Sequence, residues 1–218
     1  MIRIYAGHVT NFVDSTHPAI VAFANETTAG ARTEGEKAST LFRAVRERLR
    51  YDPYTISASP EDYVASNVLN ADRGYCIPKA VLLAAAARAV GMKALLGFSD
   101  VKNHLTSPKL TATLGSDLFV YHGYVELWID GTPYKVTPAF NEALCARFGV
   151  AVLDLDPVRP ADALLQQFDG AGRAYMSYVA QRGVFEELPF DAIMNTFRAT
   201  YPRLDLGAKT THDEAFHG

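Results

Sequence analysis

Two cysteines among 218 residues, Cys76 and Cys145, are too few for a disulfide framework and fit a reduced compartment. No uninterrupted apolar run is long enough to span a bilayer. The first residues, MIRIYAGHVTNF, lack the basic start and apolar run of a secretory signal. The expectation is a cytoplasmic protein with no membrane partner. Positive charge is also scarce: 21 Lys and Arg against 24 Asp and Glu give a net charge of -3. Without a basic run there is no electrostatic reason to expect nucleic acid. Phosphate loops, dinucleotide fingerprints and metal-ligand spacings are missing too, so no cofactor and no metal are expected. The four groups His212, Asp213, Glu214 and His217 lie in a polar tail that reads as frayed rather than as a metal site. What remains is ordinary globular composition, 49% hydrophobic and 21% charged, enough to bury a core.

The most informative stretch is Arg73–Gly91, RGYCIPKAVLLAAAARAVG. It reads as a helix apolar nearly all round, with Lys79 and Arg88 as its charges, and so belongs in the middle of a domain. Pro78 suits a first turn and Gly91 a helix end. Cys76 therefore stands at or next to the N-cap, where unpaired N–H groups and the helix dipole favour an anion and lower a thiol's pKa. A small buried hydrophobe is the alternative from this stretch alone.

Before it, Pro18–Asn25 reads as a helix, and Thr33 with Glu36 as a capping box opening a second one. A short helix over Asp62–Leu69 is expected. Asp72 and Arg73 read as a loop ion pair. After Gly91, Lys93–Phe98 reads as a strand and Ser99–Gly115 as a long polar loop carrying Asn103 and His104. Val150–Leu155 reads as a strand and Pro189–Tyr201 as a last helix.

Phe119–Ile129 and Thr132–Thr137 flank Asp130-Gly131, a strong hairpin signal. A two-residue turn sets Ile129 opposite Thr132, Tyr124 opposite Thr137 and His122 opposite Ala139. His122 then shares a face with Tyr124, and Thr137 points the same way, diagonal to His122. A cysteine at a helix mouth, a histidine on a strand and a polar group on the next strand supply nucleophile, base and orienter, the set that covalent acyl chemistry requires.

These segments together resemble the transglutaminase-like superfamily of papain-like cysteine enzymes. The resemblance runs over VRERLRY (Val45–Tyr51), Gly74-Tyr75-Cys76, RAVGMKA (Arg88–Ala94), HGYVELWIDG (His122–Gly131) and Tyr134–Pro138. It implies an α+β fold in which a central nucleophile helix packs on an antiparallel sheet. It implies Cys76 as nucleophile and His122 as base. The family's usual third member is an aspartate where this chain has Thr137, and Asn141, four residues on, is the other candidate for that role. A single domain over 1–206 is expected, with a core at about 35–141, an elaboration at 142–206 and a tail at 207–218.

The implied activity is cysteine-dependent acyl transfer or hydrolysis at a peptide or carboxamide bond, with a peptide or protein substrate. Hydrolysis is favoured because no amine-recognition feature stands out. The alternative is a non-catalytic binding or scaffold domain, motivated by Thr137. A metal-dependent hydrolase using His104 and His122 is a third, minor reading. The Cys76 N–H is the expected oxyanion donor. Cys145 reads as structural, Trp128 as core, Tyr51 and Tyr54 as walls of a cleft or as core, and Tyr75 as shaping the approach to the thiol.

Overall fold

The helix α4, Cys76–Ala89, is the centre of the computed structural model, and every residue from Cys76 to Ala87 is buried. The structure describes residues 4–5, 8–9, 11–104, 108–201 and 203–204. The polar tail, with its four candidate metal ligands, lies outside them. An all-apolar helix needs cover on every side, and α4 has it. Helices α1 (Pro18–Thr28), α2 (Glu34–Arg48) and α3 (Ala65–Val68) pack on one side of it. On the other lies a sheet formed by β5 (Ala94–Asn103), β6 (Leu118–Ile129), β7 (Thr132–Val136) and β8 (Met176–Phe185). The sheet is antiparallel in the order β7-β6-β5-β8. This is the expected α+β arrangement, a central helix on an antiparallel sheet.

Local rules account for much of it. Thr33 and Glu36 form the full capping box of α2. Asp130 (φ 50°) and Gly131 (φ 79°) both take the left-handed turn geometry, and Ile129 pairs with Thr132. From there the β6–β7 ladder keeps the expected register as far as Val125–Val136. It stops one residue short of Thr137, whose N–H goes instead to Ala163 O at 2.9 Å. The next residue, Pro138, has no N–H to offer the ladder.

Several expectations are corrected. The helix over 62–69 is broken. A 3-10 turn, Pro60–Tyr63, is followed by extended Val64 (φ -71°, ψ 127°) before α3 begins. The break lets Tyr63 turn into the core, where its hydroxyl meets that of Tyr75 at 2.8 Å. The strand after Gly91 does not end at Phe98. It runs on to Asn103, because β6 and β8 pair with it from both sides, and α5 (Pro108–Leu114) takes up more of the supposed loop. Residues 150–155 are irregular and form no strand, Val150 making an isolated bridge to Asp169. Arg73 pairs with Asp52 at 3.3 Å. The expected last helix is present as α7, Phe190–Thr200.

One contact sets the distance between helix and sheet. A Cβ placed on Gly123 of β6 would lie 3.1 Å from Ile77 Cα and 3.2 Å from Cys76 O. Backbone therefore rests on backbone at the mouth of α4. Gly123→Ala should force β6 off the helix and destabilise the protein by about 1–3 kcal/mol, as overpacking does. A denaturant midpoint unchanged by this substitution would disprove the contact.

Candidate active site

Cys76 is the first residue of α4. Its N-cap, Tyr75, makes no side-chain capping bond, so the first amides of the helix are left to the sulfur. The N–H groups of Gly123, Ile77 and Cys76 itself favour the thiolate. Burial outweighs them and pushes the Cys76 thiol up to about 11. The helix mouth alone would lower it; enclosure reverses the sign.

His122 precedes the glycine that touches α4. Its ring is buried, and burial lowers its pKa to about 4. His122 Nε2 has no hydrogen-bond partner, and neither has Thr137 Oγ1. A buried polar atom left unpaired costs roughly 1–3 kcal/mol. Both therefore stand ready to accept a partner. No hydrogen bond joins His122 to Cys76 or to Thr137.

Asn141 is placed differently from the expectation of a histidine orienter. Its Oδ1 accepts from Tyr51 N–H at 2.7 Å, and its Nδ2 donates to Arg46 O and Leu49 O. In this geometry Asn141 ties the end of α2 to β3 (Arg50–Tyr51) and does not reach His122. Lys79 joins the same corner. It is fully buried in the first turn of α4, and its Nζ donates to Arg46 O and Leu49 O, both at 2.7 Å.

The strand that carries His122 is bent just before it. Ser99 pairs with His122, yet Val101 pairs with Phe119, so Val120 and Tyr121 together oppose Asp100. This is a β-bulge, a device that re-aims side chains, and Tyr121 takes φ 55°, which is strained for a residue with a Cβ. Side chains hold the freed backbone. Asp100 accepts from Tyr121 N–H at 3.1 Å while gripping Arg182 at 2.7–3.1 Å. The Tyr201 hydroxyl accepts from Val120 N–H at 2.7 Å and donates to Leu118 O at 2.9 Å. Sequence reasoning missed Asp100, Arg182 and Tyr201, since nothing local marks a side chain that props a distant bulge.

A cleft opens over His122. Tyr51, Asn103, Phe140, Tyr175 and Met176 line it, and it is narrow, with a cavity volume of about 30 Å³. Burial and then the nearby Cys76 sulfur push the Tyr51 hydroxyl well above its usual value, so Tyr51, one of the expected walls, lines the cleft and lies near the thiol. Tyr75 is buried, with its hydroxyl 2.8 Å from that of Tyr63. His104 is exposed and meets Ser177 Oγ at 2.9 Å, away from His122. Trp128 lies six residues along β6 from His122, about 20 Å in an extended strand. It is only half-buried, with Lys93 Nζ 3.6 Å from its ring centre. Cys145 is fully buried, with Gln166 Nε2 3.8 Å from its sulfur. Both cysteines are free. Among the described residues no group of His, Cys, Asp and Glu gathers as if for a metal. No helix among them is long and apolar enough to cross a membrane.

A cysteine opening a buried helix, against a sheet strand that carries a buried histidine, defines the papain-like class of architecture. Residues 21–137, more than half of the chain, match the model of the transglutaminase-like superfamily, and the protein belongs to that superfamily. No curated protein matches. Among solved structures, a "putative protease" from Parabacteroides distasonis is 21% identical over 53% of this chain, with a TM-score of 0.39. A "putative cysteine protease" from Cytophaga hutchinsonii is 14% identical over 82% of this chain, with a TM-score of 0.43. This chain spans 22% and 52% of those two chains.

Burial of neutral His122 links stability to acid. Its pKa is near 4 when folded and 6.5 as a free side chain, so the unfolded chain binds the extra proton between those values. Stability should fall as pH drops from about 6.5 to 4, by up to roughly 3 kcal/mol. Urea unfolding of the wild type and His122→Gln at pH 7, 5.5 and 4.5 checks this. The variant should lose that part of the slope, and parallel pH curves would refute it. Tyr201→Phe should cost about 1–3 kcal/mol by orphaning Val120 N–H, and should move the His122 ring resonances in NMR spectra. Unmoved resonances would mean that Tyr201 does not aim the histidine.

Proposed function

We propose that the protein is a cysteine-dependent acyl-transfer enzyme acting on a peptide or carboxamide bond, with Cys76 as nucleophile and His122 as base. The observation that carries this is the seating of Gly123 against the mouth of α4. It fixes the strand residue next to His122 against the residue that bears the thiol, and His122 lines a narrow cleft.

In this reading, His122 takes the Cys76 proton as the sulfur attacks the carbonyl carbon. The C–N bond then breaks, and His122 returns the proton to the leaving amine. Water, deprotonated by His122, cleaves the thioester to the acid and restores the thiol; an amine in its place gives a new amide. Backbone N–H groups at the mouth of α4 are placed to receive the charge that develops on sulfur or on the carbonyl oxygen. Hydrolysis is the favoured outcome. Thr137 is the candidate third member, since Asn141 is engaged elsewhere. A threonine hydroxyl can accept from imidazole but cannot stabilise imidazolium as a carboxylate does. The substrate is a peptide or protein, and the acting unit is a single domain over 1–206.

A second reading has its own support. The thiol and imidazole are both held neutral by burial, without a hydrogen bond between them, and Thr137 replaces the family's aspartate. These features suit a binding domain that keeps the fold. Alkylation separates the two. Under the enzymatic reading, iodoacetamide at pH 7 labels Cys76 at least tenfold faster than Cys145 in the native protein, and His122→Ala removes the difference. Peptide mass spectrometry showing equal rates would discard the nucleophile and leave the binding domain.

A further inference from the structure

Among the described residues five buried side-chain atoms lack a hydrogen-bond partner. Three of the five stand at neighbouring positions: Ser99 Oγ on β5, His122 Nε2 on β6 and Thr137 Oγ1 just past the end of β7. Ser99 is the ladder partner of His122. Such partners project to the same face of a sheet, with Cβ atoms about 4.5–5.5 Å apart. The neighbours of Ser99 fix that face. Two residues before it, a Cβ on Gly97 would lie 2.1 Å from the Tyr124 ring, and Tyr124 shares a face with His122. Two and four residues after it, Val101 and Asn103 line the cleft together with His122. The residues between turn the other way: Phe98 packs on Tyr121 and Phe185, and Asp100 grips Arg182. Strand alternation therefore sets the Ser99 hydroxyl beside His122.

Ser99 is fully buried, and a buried hydroxyl without a partner lowers stability, whereas an alanine there would not. His122 makes a matching demand. To take the thiol proton on one ring nitrogen, a neutral imidazole must carry its hydrogen on the other, and that N–H needs an acceptor. Nε2 is the nitrogen enclosed without one. Asn141, the N-cap of α6 (Glu142–Phe148), is engaged with Tyr51 and the end of α2. If the β6–β7 ladder were continued, Thr137 would stand diagonal to His122, while Ser99 stands directly opposite. The thiol arrives by another route: Cys76 follows β4 (Arg73–Gly74) and Tyr75, and its thiolate is favoured by the N–H of Gly123. The enclosed nitrogen is left to the two hydroxyls.

We propose that Ser99 is a positioning residue for His122: its hydroxyl accepts from Nε2–H and, with Thr137, supplies the two oxygens that a carboxylate would. The inference rests on the acyl-transfer reading for its link to Cys76; the pairing of Ser99 with His122 stands apart from it. Across the Cβ separation of a ladder pair, rotation of the serine and imidazole about their side-chain bonds makes the contact, and the strands need not move. Held in this way, the ring keeps its other nitrogen for the thiol proton. The hydroxyl is retained at a cost in stability because the reaction uses it.

Ser99→Ala in the full chain tests this by three readouts. The first is the nitrogen NMR spectrum of the histidine rings, with His122 assigned by its loss in His122→Gln. The wild-type ring should carry its proton on Nε2, and Ser99→Ala should move the Nε2 resonance and change the tautomer. The second is the rate at which iodoacetamide labels Cys76, which should fall by about tenfold, a part of what a positioned base contributes. The third is the urea midpoint, which should stay level or rise, since the alanine removes an unpartnered hydroxyl. A residue that only supports the fold would lower the midpoint and leave the ring tautomer alone, and either result overturns the proposal. So does a labelling rate equal to that of a wild type whose Cys76 reacts faster than Cys145. A Ser99→Ala/Thr137→Val double variant no slower than Thr137→Val would give the whole role to Thr137 and overturn it too. Should wild-type Cys76 label no faster than Cys145, the acyl-transfer reading fails, and the ring spectrum still decides whether Ser99 holds His122.

Discussion

The rest of the molecule depends on one close approach, that of the β6 backbone at Gly123 to the first turn of α4. A helix apolar on all sides can be covered by many arrangements of strands. Here the cover comes so near that a single methyl group would intrude. That nearness aims the Gly123 amide at the Cys76 sulfur and leaves His122 at the edge of the same contact. The bulge at Val120–Tyr121 then turns the strand, and Asp100 and Tyr201 hold the turn. Strain at Tyr121 is kept because the surrounding hydrogen bonds over-determine it.

A second junction keeps α4 in place from behind. The last carbonyls of α2 would be orphans, and Lys79 and Asn141 both donate to Arg46 O and Leu49 O. Burial pulls Lys79 down to about 7, so its charge is held at a cost that the two carbonyls and the negative helix end offset. Arg46 extends the junction to Glu142 and to Leu153 O. Residues from α2, α4 and the segment after β7 thus form one polar knot beneath the site. It explains why Asn141, which by sequence distance could have served His122, is occupied elsewhere.

What could be read from sequence followed from rules that act over a few residues. The Thr33–Glu36 box, the Asp130-Gly131 turn and the apolar run after Cys76 each specify their own geometry, and the structure has all three. The extension of β5 through Ser99–Asn103 was hidden, because those residues look like loop until β6 and β8 are seen on both sides. The break at Val64 was hidden for a similar reason: Tyr63 turns inward to meet Tyr75, far along the chain. In the site, Cys76 and His122 were visible through their secondary-structure context. Asp100, Arg182 and Tyr201 act across 21 to 83 residues, and no local pattern announces them.

The electrostatics of the resting site point away from a standing ion pair. Burial raises the thiol to about 11 and lowers the imidazole to about 4, so both are neutral across the physiological range. Proton transfer between them then runs uphill unless something stabilises the charges it creates. For sulfur the N–H groups of Gly123, Ile77 and Cys76 are already in place. For imidazolium the neighbouring candidate is Thr137 Oγ1, an atom now without a partner, and a hydroxyl gives less than a carboxylate would. On the acyl-transfer reading, the substrate must supply the missing part by bringing its polar groups into the cleft. Catalysis under that constraint draws on binding energy in addition to the help that His122 gives the thiol.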